Sequence, residues 1–325
     1  MKETKIIQPR FFNTIKVDKK KGTITKTSTE TKKFIDEVNW FLNMPAVLAN
    51  KYTPKIYEYS LNAQKAFVTM EFVNGTNIHE LYYEKKLNDK LLNTIISKVK
   101  DMLSEFQNFK SPSHDAYANR YNVYIKKLVE RILKMSDNKE FMPFFDNPIT
   151  INGVKYPSLS KIILLILNEA SNNLLTSDNF YFIHGDLFSA NMIFDTKTQE
   201  VKIFDPRGSF GNDKNGGDIL YEWAKFIHSF DGGYDWIIED CFDVSVDKTD
   251  IKYNFKYDKK YYAAMRKIVL NAVPKEMYSK VLLIESTLFL SMIPLHADYP
   301  KRQLMQLARG IELFYNYIEE INKKK

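Results

Sequence analysis

The sequence predicts an α+β fold in two parts, and three observations carry that prediction. The first third of the chain is mostly short, β-branched or alternating stretches with one helical pattern among them. After residue 74 the composition turns from strand-like to helix-like. A strand–loop–strand–turn–strand cluster from Phe180 to Gly211 then interrupts the helices. The boundary is therefore set at residues 1–73 and 74–325.

The elements follow in order. Lys5-Ile6-Ile7 and Phe11 to Val17 read as strands, and Lys19-Lys20-Lys21-Gly22 as a turn ending in glycine. Thr23 to Thr29 is β-branched at most positions and forms the next strand. Thr31 to Asn43 repeats Phe34, Val38 and Phe41-Leu42 at helical spacing, and Pro45 stops it. Lys55 to Tyr59 and Ala66 to Phe72 are strands, after which Gly75 lets the chain turn. From His79 to Phe109 helical periodicity dominates, with Leu91, Ile95, Val99, Leu103 and Phe106 on one core-facing stripe. Tyr117 to Met135 and Leu159 to Leu175 are further helices. Met142 to Tyr156, with Pro143, Pro148 and Gly153, reads as loop, as does the glycine-rich Phe210 to Gly217. Asp218 to Lys225 opens another helix.

Composition narrows the function classes. With 325 residues, 44% of them hydrophobic, the chain can bury a large core. A single cysteine, Cys241, excludes an internal disulfide framework and fits a reducing compartment. No apolar run follows the charged Met1 to Lys5, so no signal segment is expected. Neither Ile162 to Leu167 nor Val281 to Leu295 (the latter broken by Glu285) has the roughly 20 apolar residues of a membrane span. A cytoplasmic protein is expected. The net charge of +7 gathers in Lys16, Lys19, Lys20, Lys21, Lys26, Lys32 and Lys33 and in the Lys323-Lys324-Lys325 tail. No zinc-ligand spacing or helix-turn-helix signature accompanies it, so a solvated surface is expected rather than a nucleic-acid site.

Phe180 to Gly211 carries the chemistry. Phe180 to Ile183 is a buried strand broken by His184-Gly185-Asp186. Asn191 to Phe194 is a second strand, Asp195 to Glu200 a turn, and Val201 to Phe204 a third strand ending at Asp205. The last two pair antiparallel across their turn, which puts Asn191 beside Asp205, with opposed Cβ atoms roughly 5 Å apart. An amide oxygen and a carboxylate at one open hairpin end can hold Mg²⁺. Asp186, on the loop upstream, is near that metal site but need not bind it, so it can accept a proton. A base beside a metal is what phosphoryl transfer to a hydroxyl requires.

HGDLFSAN followed by IFDPRG resembles the catalytic core of the aminoglycoside phosphotransferase and choline kinase family, relatives of the protein kinases. Asp186 to Asn191 keeps the kinase catalytic-loop spacing, and Phe204 to Gly208 stands where protein kinases have Asp-Phe-Gly. The resemblance implies a two-lobed protein-kinase-like fold: a small N-terminal lobe of antiparallel sheet with one helix, which binds nucleotide, and a larger, mainly helical C-terminal lobe for catalysis and acceptor binding. It implies ATP or GTP and Mg²⁺ as cofactors and a small-molecule hydroxyl as acceptor: a sugar, amino sugar, choline-like compound or aminoglycoside. Asp186 is then the catalytic base, and Asn191 and Asp205 are the metal ligands. Lys26 becomes the phosphate lysine, with Lys16 as its competitor, and Glu37 its helix partner. Glu71 and Val73 lend main-chain groups to the base in the hinge run Met70 to Ile78. Arg207 binds a phosphate or braces the loop, His184 is structural, and Asp218 caps its helix and braces the catalytic loop.

The chain departs from the protein kinases in one place. It has no glycine before Gly22, so Gln8 to Phe12 would stand where the phosphate-covering loop lies, with Arg10 contributing. The absent arginine of His-Arg-Asp and the missing Ala-Pro-Glu segment argue against a protein substrate. Phe226 to Tyr234 and Ile293 to Pro300 resemble a subgroup of bacterial kinase-like proteins found with capsular or surface-polysaccharide synthesis. For the acceptor pocket, Tyr234, His296 and Asp298 are candidates. The acidic run Asp231, Asp235, Glu239, Asp240, Asp243 and Asp247 would make a wall for a cationic acceptor. A nucleotide-binding regulator without transfer is the alternative; loss of the base or a metal ligand would favour it, and neither is lost.

Overall fold

The computed structural model describes residues 13–111 and 115–323. The expected strand at Lys5 to Ile7, the Gln8 to Phe12 segment with Arg10, and Lys324-Lys325 lie outside the described residues. The chain divides into two compact units, one of Met1–Ser113 with Phe180–Glu222 and one of His114–Asn179 with Trp223–Lys325. The lobe boundary expected near residue 74 falls inside the first unit.

The first unit begins with a four-stranded antiparallel sheet of β1 (Asn13–Asp18), β2 (Thr23–Ser28), β3 (Ile56–Ser60) and β4 (Phe67–Glu71), in the order β1-β2-β4-β3. The β1–β2 turn is held by Asp18, whose Oδ1 accepts the N–H groups of Lys20 and Lys21 at 3.0 and 3.1 Å. Side chains alternate across a strand, so Ile24 and Lys26 of β2 share a face, as do Val68 and Met70 of β4. That face packs on α1 (Thr31–Asn43), where Phe34 and Val38 meet Ala66, Val68 and Met70 in one apolar cluster. A lysine on this face is buried rather than solvated, and Lys26 is only 6% exposed.

The run predicted as one helix from His79 to Phe109 is two, Ile78–Tyr83 and Asp89–Phe106. Asn77 and Asn88 cap them with side-chain oxygens, each of which satisfies an N–H of the first turn. The hairpin of Met192–Asp195 and Glu200–Ile203 takes a third strand, Thr76–Asn77, along its free side. The chain bends at Gly75 as expected, and the glycine also serves this pairing: a Cβ there would lie 2.7 Å from the Phe194 carbonyl oxygen. The stretch expected to be a loop after Phe210 is partly ordered into strand. Ser209–Phe210 pairs with Asp213–Lys214, and Gly216–Gly217 joins Phe180–Phe182, which also pairs with Lys110–Ser111.

The second unit is built on long helices, Leu159–Asn173, Lys259–Ala272, Tyr278–Met292 and Pro300–Asn322. It also holds a sheet that the sequence reading missed. Phe242–Asp247 pairs antiparallel with Asp250–Phe255, which runs parallel to Ile149–Ile151, itself paired with Val154–Tyr156. Met142 to Tyr156 is therefore a short helix and a hairpin, not a loop. The segment Tyr278–His296 is long and apolar enough to cross a membrane by composition, contrary to the expectation from its sequence. In the fold, 72% of that window is buried inside the protein, as a core helix would be.

Candidate active site

Residues far apart in sequence meet in the first unit around Lys26. Its Nζ lies 2.8 Å from both Glu37 oxygens and 2.5 Å from Asp205 Oδ1. Lys26 comes from the buried face of β2, Glu37 from the facing side of α1, and Asp205 from the end of the hairpin. Burial pushes the Glu37 carboxyl up to about 8, and the nearby Asp205 carboxylate adds to this; Lys26 works the other way. Burial draws the Lys26 ammonium down, but the two carboxylates outweigh it and leave it raised. One ammonium thus serves two acidic groups, and Glu37 keeps, up to about pH 8, a proton that it can release. The competitor Lys16 is exposed on β1.

The catalytic loop is fixed by its own backbone. Gly185 sits at φ +80, where an L side chain is strained, and a Cβ would come within 2.9 Å of the Arg207 side chain. Asn191 donates from Nδ2 to the Asp186 carbonyl at 2.9 Å. Phe204 N–H donates to the Asn191 carbonyl at 3.1 Å, which sets Asn191 opposite the residue before Asp205. Asp205 itself has φ 56, an uncommon conformation for a non-glycine residue, at the point where the chain leaves the hairpin. Asp186 is half-buried.

His184 is buried, with both ring nitrogens engaged. Nε2 lies 2.9 Å from the Phe204 carbonyl and must donate to it; Nδ1 accepts the Asp186 N–H at 3.2 Å. This fixes the neutral tautomer and links the catalytic loop to the residue before Asp205. Asp218 Oδ1 accepts the Leu220 N–H at 3.0 Å in the first turn of the Ile219–Ile227 helix. Arg207 is exposed; its N–H donates to the His184 carbonyl at 2.9 Å and its Nη1 to the Tyr221 hydroxyl at 3.1 Å.

Three supports went unread in the sequence. Glu222, wholly buried, accepts the N–H groups of His184 at 3.1 Å and Gly185 at 2.7 Å. Trp40 donates from Nε1 to the Ile183 carbonyl at 2.7 Å, and its ring meets His184 edge-on at 5.5 Å. Asn77 donates from Nδ2 to the Ala190 carbonyl at 2.7 Å. A signal existed for Trp40, which follows Glu37 by three residues and shares its helix face. Glu222, a lone acid within an apolar stretch, was a signal of the same kind.

The expected hinge groups occupy the end of β4. Glu71 N–H donates to the Lys55 carbonyl at 2.8 Å and Phe72 N–H to the Gly22 carbonyl at 2.9 Å. Val73 is half-buried, just beyond the strand.

For a metal, the donor chemistry fits Mg²⁺. Asn191 spends its Nδ2 on Asp186 and keeps an amide oxygen, and Asp205 supplies a carboxylate. Among the described residues no group of three or more His, Cys, Asp and Glu side chains is poised to bind metal. Mg²⁺ keeps most of its waters and is commonly held by one or two protein oxygens, so two donors suffice.

The acceptor candidates lie in the second unit. Tyr234 is buried and stacks on His228 at 4.6 Å; His296 is half-buried and Asp298 exposed. The acidic run does not form one wall. Asp231 and Asp235 are fully buried, with Asp231 paired to Arg266, while Asp240 pairs with Arg302 and Asp243 with Lys256. The run turns from helix into a strand with outward-facing acids, so its members point to different neighbours.

No family model matches the chain, and no curated protein matches it in sequence. Among solved structures it is similar to a GDP complex of a mutant aminoglycoside 2'-phosphotransferase-IIIa, 14% identical with TM-score 0.59, over 95% of this chain and 90% of that one. It is also similar to the GDP and kanamycin complex of APH(2'')-IIIa, 15% identical with TM-score 0.56, over 94% of this chain and 91% of that one. The fold is therefore the α+β, kinase-like fold of these phosphotransferases.

Proposed function

We propose that the protein is a small-molecule kinase that moves the γ-phosphate of ATP or GTP to an acceptor hydroxyl. The observation that carries this reading is the meeting of Lys26, Glu37 and Asp205 in the unit that also holds the Asp186–Asn191 loop. The GDP bound in both solved neighbours supports a nucleotide substrate, and the kanamycin in one supports a hydroxyl-rich acceptor.

In this reading Lys26, steadied by Glu37, holds the nucleotide phosphates, and residues 1–73 form the nucleotide lobe with Glu71 and Val73 at the base. Asn191 and Asp205 would hold Mg²⁺, which neutralises charge on the β- and γ-phosphates when bound. Asp186 orients the acceptor hydroxyl and takes its proton as the new oxygen–phosphorus bond forms and the β–γ bridge bond breaks. His184, Glu222 and Trp40 keep the loop in place, with Arg207 as a phosphate contact or brace and Asp218 in support. The acceptor is a sugar, amino sugar, choline-like compound or aminoglycoside, met by Tyr234, His296 and Asp298. A role in surface-polysaccharide metabolism and a place in the cytoplasm, where nucleotide and Mg²⁺ are supplied, complete the proposal.

The test is a nucleotide-consumption screen over sugars, amino sugars, choline, ethanolamine and aminoglycosides, run beside Asp186→Ala. Turnover with one acceptor that Asp186→Ala abolishes, while nucleotide still binds, is the expected result. Near-normal turnover of the variant overturns the base assignment. Nucleotide binding without turnover on any acceptor favours a silent regulator of the same fold.

A further inference from the structure

The second unit contains a cavity of about 470 Å³ that the proposed reaction does not use. Its walls come from two helices, the Asp250–Phe255 strand with Tyr257 beyond it, and Asn152 in the turn between Ile149–Ile151 and Val154–Tyr156. Lys259, Tyr262, Ala263 and Arg266 lie at steps of three and four on the Lys259–Ala272 helix, so they share one face. Arg309 and Asn316 are two turns apart on the Pro300–Asn322 helix. No Asp or Glu is among the residues that line the space.

The carboxylates stand behind the arginines. Arg309 has all three nitrogens engaged: Nε donates to the Gly232 carbonyl at 3.1 Å, Nη2 to the Asp231 carbonyl at 3.1 Å, and Nη1 to Glu312 at 2.5 Å and the Tyr253 hydroxyl at 3.3 Å. Arg266 is used on one edge only. Its Nε donates to Asp231 Oδ1 at 2.5 Å, and its two terminal nitrogens have no partner among the described residues. Asp231 is wholly buried, while the Arg266 side chain is 37% exposed. Burying an acid to hold an arginine gains little stability by itself, since desolvation offsets the attraction. It does hold a guanidinium rigid with its outer fork unused, the geometry that grips a phosphate or carboxylate.

The remaining walls suit a sugar. Tyr253, Phe255, Tyr257 and Tyr262 form a continuous run of ring contacts at 5.6, 4.9 and 4.3 Å, a stiff apolar side. Asn152, Asn254 and Asn316 add amides that both donate and accept, as hydroxyls require. The volume is that of a small-ligand pocket.

We propose that this cavity binds a saccharide bearing a phosphate or carboxylate, with Arg266 and Lys259 taking the anion. The assignment stands on the second unit alone and holds whether or not the chain transfers phosphate. The test is calorimetric titration of the full chain, without nucleotide, at low salt. Glucose 6-phosphate, glucuronate, glucose and inorganic phosphate are the probes. One of the two anionic sugars should bind saturably, and glucose about tenfold more weakly or worse. Which of the two binds tells phosphate from carboxylate. Arg266→Gln should weaken that binding by about tenfold or more, and Lys259→Glu several-fold. Lys259 is exposed, so its variant decides the matter if Arg266→Gln fails to fold. Absence of saturable binding by both anionic sugars overturns the proposal, as does unchanged affinity in the folded variants. Inorganic phosphate binding as tightly as the sugar phosphate overturns the saccharide assignment.

Discussion

Two charged clusters, one in each unit, solve the same electrostatic problem in opposite directions. At Lys26 one ammonium sits between two carboxylates, both close enough to compete for it. At Arg266 and Arg309 two guanidiniums face Asp231 and Glu312, while Glu285 beside them is driven toward its neutral form by burial and by Asp231. A carboxyl that still holds its proton can give it up as a cation arrives; unspent donors prepare a place for anions. The lesson is that buried charge is informative through the binding capacity it leaves unused rather than through its presence, because a balanced buried pair adds little net stability.

Removing an acid from the first cluster is expected to have the largest effect. Asp205→Ala should abolish Mg²⁺-dependent nucleotide binding, read by titration with and without a chelator. Unchanged affinity would break the comparison at its cation side. Arg309→Lys comes next. A lysine cannot reproduce four directed bonds, so a loss of about 3 kcal/mol in denaturant unfolding is expected; a loss under about 0.5 kcal/mol would show the second cluster to be a loosely solvated patch. Lys26→Met should be milder for stability, about 1–2 kcal/mol, because Glu37 can take a proton and Asp205 is partly exposed. Its nucleotide affinity should nevertheless fall. A stability cost above that of Arg309→Lys would invert the ranking.

The smallest effect sharpens the second cluster. The Glu285 carboxyl is raised well above its ordinary value, chiefly by burial. A carboxyl that holds its proton more tightly when folded stabilises the fold fully only below its ordinary range, and that contribution is lost as pH climbs toward its folded value. Unfolding free energy should therefore decline as pH rises from the ordinary glutamate range. Glu285→Gln, which keeps an acceptor for the Gly232 N–H, should flatten that decline. Equal slopes in the two proteins would place the pH dependence elsewhere.

Much of the first unit was legible because its signals are local. The α1 bounds follow from apolar spacing and Pro45, and the 186–191 spacing with the 204–208 motif marked a reaction. The braces left only a faint mark: Trp40 shares a helix face with Glu37 and Glu222 is a lone acid among apolar residues, but neither pattern says which backbone carbonyl or N–H the side chain will hold. The sheet of the second unit was missed for another reason. Its Ile149–Ile151 and Val154–Tyr156 strands have three residues each, and nearby prolines suggested loop. Yet Asn152-Gly153 between them, with φ 49 and 86, is the commonest two-residue hairpin signal. The acidic run misled because charge spacing along a chain does not say where each acid points once helix gives way to strand.

Trp40 gives the molecule a built-in optical probe. Tryptophan occurs at 40, 223 and 236, and only the first belongs to the unit that holds the catalytic loop. Its indole donates to the carbonyl just before His184 and lies against that imidazole, so its surroundings change whenever the loop moves. With the other two tryptophans replaced by phenylalanine, fluorescence from a single emitter would follow the loop in real time, with no label attached.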